Sequence, residues 1–179
     1  MNTKSILIWA IILFVIDQII KVVVNQFFLE VKFAIITQLF YFQPTFNHHY
    51  SWINSLFKLG RGFWEHIIIF SFDTLLIVSF LDLMRAKCGK NKLLSIAFVF
   101  CFAGLISSFI GTIIWNGCLY YIYLKPLFVF DLKDLYLNAF AVLLLVYFLK
   151  NRKLLSTITT KDVIYHFKNR FKSHTQIEE

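Results

Sequence analysis

Cysteine is scarce in this sequence, and its three residues, Cys88, Cys101 and Cys118, form no C-x-x-C pair. An odd number without that spacing offers neither a disulfide framework nor a zinc site. Cys101 lies inside an apolar run, and all three read as packing residues. Acid is scarce too, with ten aspartates and glutamates against eighteen lysines and arginines and a net charge of +8. That basic excess is not interleaved with a base-stacking motif, so nucleic acid is not the partner it implies. No small-x-small cleavage site follows the first apolar run, only Val24-Asn-Gln-Phe-Phe28, which argues against a cleaved signal peptide. The adjacent His48 and His49 point opposite ways on a strand, a poor geometry for one shared metal ion. They read as solvated or interfacial side chains.

Apolar surface is in excess. The 179 residues, one domain's worth, are 59% hydrophobic and 19% aromatic, against ~45–50% apolar in soluble domains. A globule this small cannot hide that surface, so the chain is expected to be an integral membrane protein. Four runs read as membrane helices: about Ser5–Val24, Trp64–Met84, Leu93–Trp115 and Leu135–Leu149. Between the first two, Phe33 to Phe42 alternates and is rich in β-branched and aromatic residues. Pro44, Asn47 and Asn54 punctuate the stretch beyond it. Short strands against the membrane surface are predicted there. Gly60-Arg-Gly62 marks a turn, and residues 85–92 a basic loop. Residues 116–133 read as a second inter-helix stretch, with a turn at Asn116-Gly117 and a tyrosine-rich run, Tyr120–Tyr123. The fold expected is an all-α membrane protein: a four-helix transmembrane bundle with a small β-rich extracytoplasmic cradle after the first helix. It occupies residues 1–150. Residues 151–179 form a basic tail in which Ile164, Phe167 and Phe171 recur at helical spacing, as in an amphipathic helix lying on an anionic leaflet.

Twelve basic residues fall on Lys4, the 85–92 loop and the tail, against five on the other two connections. The positive-inside rule then places both termini in the cytoplasm. Several polar groups converge on the opposite surface. Asp17 and Lys21 stand four residues apart on one helix face, acid before base, as a structural ion pair or as part of a site. Asp131 and Asp134 stand at the mouth of the last apolar run. Either Asp131 caps that helix with Asp134 in its first turn, or the two belong to a functional site. Asp73, in the middle of the second run, is a further site candidate on cost alone, or a partner for a neighbouring helix's hydroxyl. Gly104, Ser108 and Gly111 keep near-helical spacing and let another backbone approach, which reads first as packing.

In order and spacing, these features together resemble lipoprotein signal peptidase, the signal peptidase II family, over about residues 5–150. Asp17-Gln-Ile-Ile-Lys21 is similar to its Asp-Gln-x-x-Lys. Asn47 stands where its Asn-Thr-Gly-Ala-Ala-Phe-like motif has Asn. Ala103–Thr112 matches the frame of Gly-Gly-Ala-x-Gly-Asn-x-x-Asp-Arg, and Phe130–Leu137 resembles Phe-Asn-x-Ala-Asp-Ser-Ala-Ile. The resemblance implies a bacterial cytoplasmic (inner) membrane protein without cofactor or metal, working on lipid-modified prolipoproteins just before the diacylated cysteine. In that family two aspartates flank a water, one protonated as acid and one ionised as base. Here the second is Asp134. The first falls on Tyr120, or on Tyr121 with a one-residue shift, and a phenol titrating near 10 is no base at neutral pH. The family's arginine is Thr112, and its asparagine before the second aspartate is Asp131.

The expected function is therefore that of a catalytically inactive relative. It would bind a lipoprotein, a lipid or a partner membrane helix in the family's cleft, with Asn47, Asp17, Lys21 and Asp134 lining it. One alternative is an active aspartic-type peptidase pairing Asp134 with Asp131 or Asp73. The other is a structural subunit of a membrane assembly with its aromatic-rich loop as the contact surface.

Overall fold

The computed structural model describes residues 1–48, 54, 57–60, 62–115 and 117–155. His49 and the tail helix expected around Ile164–Phe171 lie outside the described residues. Four helices are long and apolar enough to cross a membrane: α1 (Thr3–Phe27), α2 (Phe63–Cys88), α3 (Lys92–Trp115) and α4 (Leu132–Lys150). A short α5 (Arg152–Leu155) comes after α4. Each long helix contains the apolar run read from the sequence and extends it at one end or both.

The helices are dressed for lipid. In α1 the aliphatic side chains of Ile8, Ile11 and Ile19 are exposed, whereas Asp17 and Lys21 are buried. A helix in water sorts its residues the other way. In a bilayer, apolar side chains gain nothing by turning inward, and charges are driven towards the bundle interior.

α3 is the central helix. It packs on α1, α2 and α4, and its Leu94, Phe98 and Cys101 lie in the main core with Ile6, Ala10 and Tyr136. α4 comes close at Gly104: a β-carbon there would meet Leu137 at 2.6–2.8 Å and the Lys133 carbonyl at 3.4 Å. Of the small residues read from the sequence, Gly104 therefore serves helix packing and brings the first turn of α4 close, whereas a β-carbon on Gly111 would face the Gly117 carbonyl at 3.6 Å and Ser108 lines a cleft beside α2.

At one end of the bundle stands a four-stranded antiparallel sheet in the order β1-β2-β3-β4. Strands β1 (Phe33–Ile36) and β2 (Phe40–Asn47) come from the stretch where alternation predicted them. Strands β3 (Cys118–Leu124) and β4 (Phe128–Phe130) come from the stretch that reads as a connection. The second hairpin leaves no periodic signal because Cys118–Tyr121 is buried on every residue, and a strand covered on both faces shows no alternation. The two hairpins join through β2 and β3, Thr45 opposite Tyr120 and Asn47 opposite Cys118. The β2–β3 register shifts between Phe42 and Thr45, where Pro44 lacks an N–H to donate.

Gly117 opens β3 with φ of 155°, and a β-carbon there would lie 2.6 Å from the Asn47 carbonyl oxygen. Backbone cannot move aside as a side-chain tip can. Gly117→Ala is expected to cost about 1–3 kcal/mol, read as a lower midpoint of thermal unfolding in detergent. An unchanged midpoint would contradict the close approach of the two strands.

Candidate functional site

Five carboxylate and ammonium side chains meet where α1, α4 and the sheet converge. Asp17 and Lys21 lie one turn apart on α1, and Lys21 Nζ donates to Asp17 Oδ2 at 2.8 Å. The same ammonium reaches across to Asp131 Oδ2 at 2.8 Å. Asp131 is the N-cap of α4. Its side chain accepts from the Asp134 backbone N–H at 3.3 Å, and Asp134 Oδ2 accepts from the Asp131 N–H at 3.1 Å. This reciprocal box satisfies two N-terminal donors that the helix cannot bond internally. The capping reading of Asp131 and Asp134 is thus correct, and Asp131 has charged partners besides.

Lys133 is the residue that sequence reasoning missed. On the connection it reads as one more surface charge, yet it is only 4% exposed. Its ammonium donates to Asp131 Oδ1 at 3.0 Å and Oδ2 at 2.9 Å, and lies 3.6 Å from Asp134 Oδ1. It also sits 4.5 Å from the centre of the Tyr120 ring, within cation–π range. The signal available was three charges in four residues, Asp131, Lys133 and Asp134, at the mouth of an apolar run.

Two ammoniums therefore hold one carboxylate. Burial alone would raise the Asp131 pKa, but Lys133 and Lys21 outweigh it and keep the acid below its usual range. Asp131 is fully buried. It is an ionised structural anion with both oxygens engaged.

Asp134 differs. Its side chain is 31% exposed and looks into a cleft of about 250 Å³, lined among the described residues by Tyr120, Phe128, Val129, Phe130 and Asp134. The cleft is an apolar slot with one carboxylate in its wall. Tyr120 and Tyr121 part company here. Tyr120 faces the cleft with Asp134. Tyr121 packs with Val24 and Leu119, and its hydroxyl accepts from the Leu132 N–H at 3.1 Å. Burial raises the Tyr120 phenol above its ordinary range, more than Lys133 lowers it, so it stays protonated at neutral pH.

The remaining candidates take different places. Asp17 and Lys21, expected to line the cleft, are buried behind it and connect to it through Asp131 and Lys133. Gln18 donates to Asp17 Oδ2 at 3.0 Å and accepts from the Trp115 indole at 3.3 Å. The Asp-Gln-x-x-Lys stretch thus ties α1 to α3 and α4 at once. Asn47 ends β2 opposite Cys118, two residues along β3 from Tyr120. The His48 ring stacks on Phe46 at 5.9 Å. Asp73 belongs to a separate cleft between α2 and α3, which shares no lining residue with the Asp134 cleft among the described residues. The three cysteines are free thiols, Cys101 and Cys118 buried and Cys88 half-buried.

Chemically, the Asp134 cleft offers a carboxylate that can accept hydrogen bonds, an ammonium tucked behind it, a phenol that can donate, and apolar walls. Among the described residues, no second carboxyl group lines it.

Comparison with known proteins agrees with this architecture. The family model described as signal peptidase II matches residues 9–150. No curated protein matches the chain in sequence. Two solved structures, each described as a bacterial membrane enzyme, share the fold. One superposes with a TM-score of 0.66 at 18% identity, covering 84% of this chain and 90% of its own. The other does so with 0.67 at 17% identity, covering 83% and 95%.

Proposed function

Because the chain belongs to the signal peptidase II family, we propose that it keeps the family's cleft as a binding site and has given up hydrolysis. The ligand is a lipid-modified prolipoprotein, a lipid or a partner membrane helix, held in the apolar slot with Asp134 as its polar contact. One observation carries this reading: the group facing Asp134 is a protonated phenol backed by a lysine ammonium. Splitting a peptide bond with two carboxylates requires one to stay protonated while its partner ionises, and their mutual repulsion enforces that division. Here the group across the cleft is the Tyr120 phenol, which keeps its proton at neutral pH and cannot serve as the base. Asp131 cannot step in as the partner, since its carboxylate is buried and held by two lysines.

By the same reading the protein lies in the bacterial cytoplasmic membrane with both termini on the cytoplasmic side, and the cleft opens on the outer leaflet.

The test is direct. Purified protein mixed with a lipid-modified prolipoprotein in detergent is expected to leave it intact over hours, and Asp134→Asn to change nothing in that assay. Binding, followed by fluorescence of a labelled prolipoprotein, is expected to weaken about tenfold in Asp134→Asn, the scale of one hydrogen bond to a charged group. Cleavage that Asp134→Asn abolishes would overturn the proposal in favour of an active aspartic peptidase. Absence of binding altogether would favour a structural subunit.

A further inference from the structure

Asp73 stands ten residues into α2 from Phe63, about 15 Å along the axis, half the ~30 Å hydrocarbon thickness. It is exposed at the bundle surface. Among the described residues no lysine, arginine or hydrogen-bond donor reaches its carboxylate. This contrasts with Asp17 and Asp131, each of which has a cation within 2.8 Å. A carboxylate left to lipid at that depth costs several kcal/mol.

Around it the surface is shaped. A cleft of about 180 Å³ runs between α2 and α3, lined by His66, Phe70, Asp73, Ser108 and Thr112 among others. His66 and Asp73 are seven residues apart, two turns down one face of α2. Thr112 and Ser108 descend α3 in step with them. Phe70 and Phe109 stack at 4.7 Å beside the cleft and hold its two walls together. The result is a polar track from the sheet end of the bundle to the membrane midplane. It is bordered by lipid-facing Ile68, Ile69 and Phe72.

We propose that this cleft docks a membrane-spanning helix of another protein that carries a lysine or arginine near its midpoint. Charge complementarity selects that occupant. Acyl chains bring no donor, and anionic headgroups bring the wrong sign. Among the described residues, a second copy of this chain offers no cation at that depth: its two buried lysines, Lys21 and Lys133, are committed to buried carboxylates. The volume admits one side chain, and the apolar border supplies the surface for the rest of a helix. The site stands independently of the Asp134 cleft.

The experiment uses the full chain in phosphatidylcholine nanodiscs and a synthetic leucine-alanine transmembrane peptide with one central lysine, with association read by energy transfer. The lysine peptide is expected to bind about tenfold tighter than its leucine counterpart, the upper scale of interhelical polar contacts in bilayers. Asp73→Asn is expected to erase that preference and Asp73→Glu to keep it. Ser108→Ala, which leaves the charge in place, is expected to weaken it about threefold, and supplies the answer should the Asn variant not fold. Equal binding of the two peptides, a preference that survives Asp73→Asn, or, should that variant not fold, one that survives Ser108→Ala, overturns the proposal. So does self-association of the protein that Asp73→Asn abolishes, since it assigns the cleft to a second copy.

Discussion

Lys21→Met is expected to lower stability by about 3–5 kcal/mol, the cost of leaving buried charge without its partner. The ammonium lies between two carboxylates, 2.8 Å from each, and both of its salt bridges are lost together. Asp131 keeps Lys133, but Asp17 keeps only the Gln18 amide, and its Oδ1 has no hydrogen-bond partner among the described residues even in the intact protein. Methionine fills a similar volume, so the loss reports charge and not packing. The measurement is the midpoint of thermal or dodecyl-sulfate unfolding in mixed micelles. Adding Asp17→Asn is expected to recover at least a third of the loss, because the stranded anion goes with it. A loss below about 1 kcal/mol, the range of exposed ion pairs, would mean that the network is wet.

The second large effect is a gain. Tyr120→Asp alone is expected to remain inactive towards a lipid-modified prolipoprotein. The new carboxylate would share its cleft with Asp134 and the Lys133 ammonium, and a cation beside two acids lets both ionise. Tyr120→Asp together with Lys133→Ala and Asp131→Asn removes that cation and its buried counter-ion in one step, leaving Lys21 with Asp17. Two acids then face one another with nothing to neutralise them, the condition under which one holds a proton. Cleavage is expected to exceed that of the same variant carrying Asp134→Asn by ~10²-fold or more, the low end of general acid–base catalysis. If the triple variant folds and shows no cleavage, the account of lost hydrolysis through Tyr120 and Lys133 is incomplete.

Much of the architecture is readable because the bilayer imposes a simple rule. Length and apolarity alone locate all four spans, and alternation locates β1 and β2. The β3–β4 hairpin is hidden because both faces of β3 are covered, one result of which is that Cys118–Tyr121 looks like any apolar run. The site divides in the same way. Asp131 and Asp134 can be read as a capping pair from local spacing, and Asp17 with Lys21 as a one-turn ion pair. That Lys21 also grips Asp131 depends on α1 and α4 meeting across more than a hundred residues, and no local pattern carries that. Lys133 is misplaced for a related reason: beside a loop a lysine usually reaches water, and here Asp131 and the Tyr120 ring hold it inside.

The pairing within the buried network bears on how the chain is made. Lys21 follows Asp17 by one turn, and Lys133 lies two residues from Asp131, so each segment carries a counter-ion of its own. A near-neutral helix partitions into the membrane far more readily than one bearing a bare charge. The first span can settle early and wait for the last, and only when the fourth arrives does Lys21 gain its second partner. On this account the same four side chains are expected to serve twice, first as two separate pairs and then as the clasp that closes the bundle.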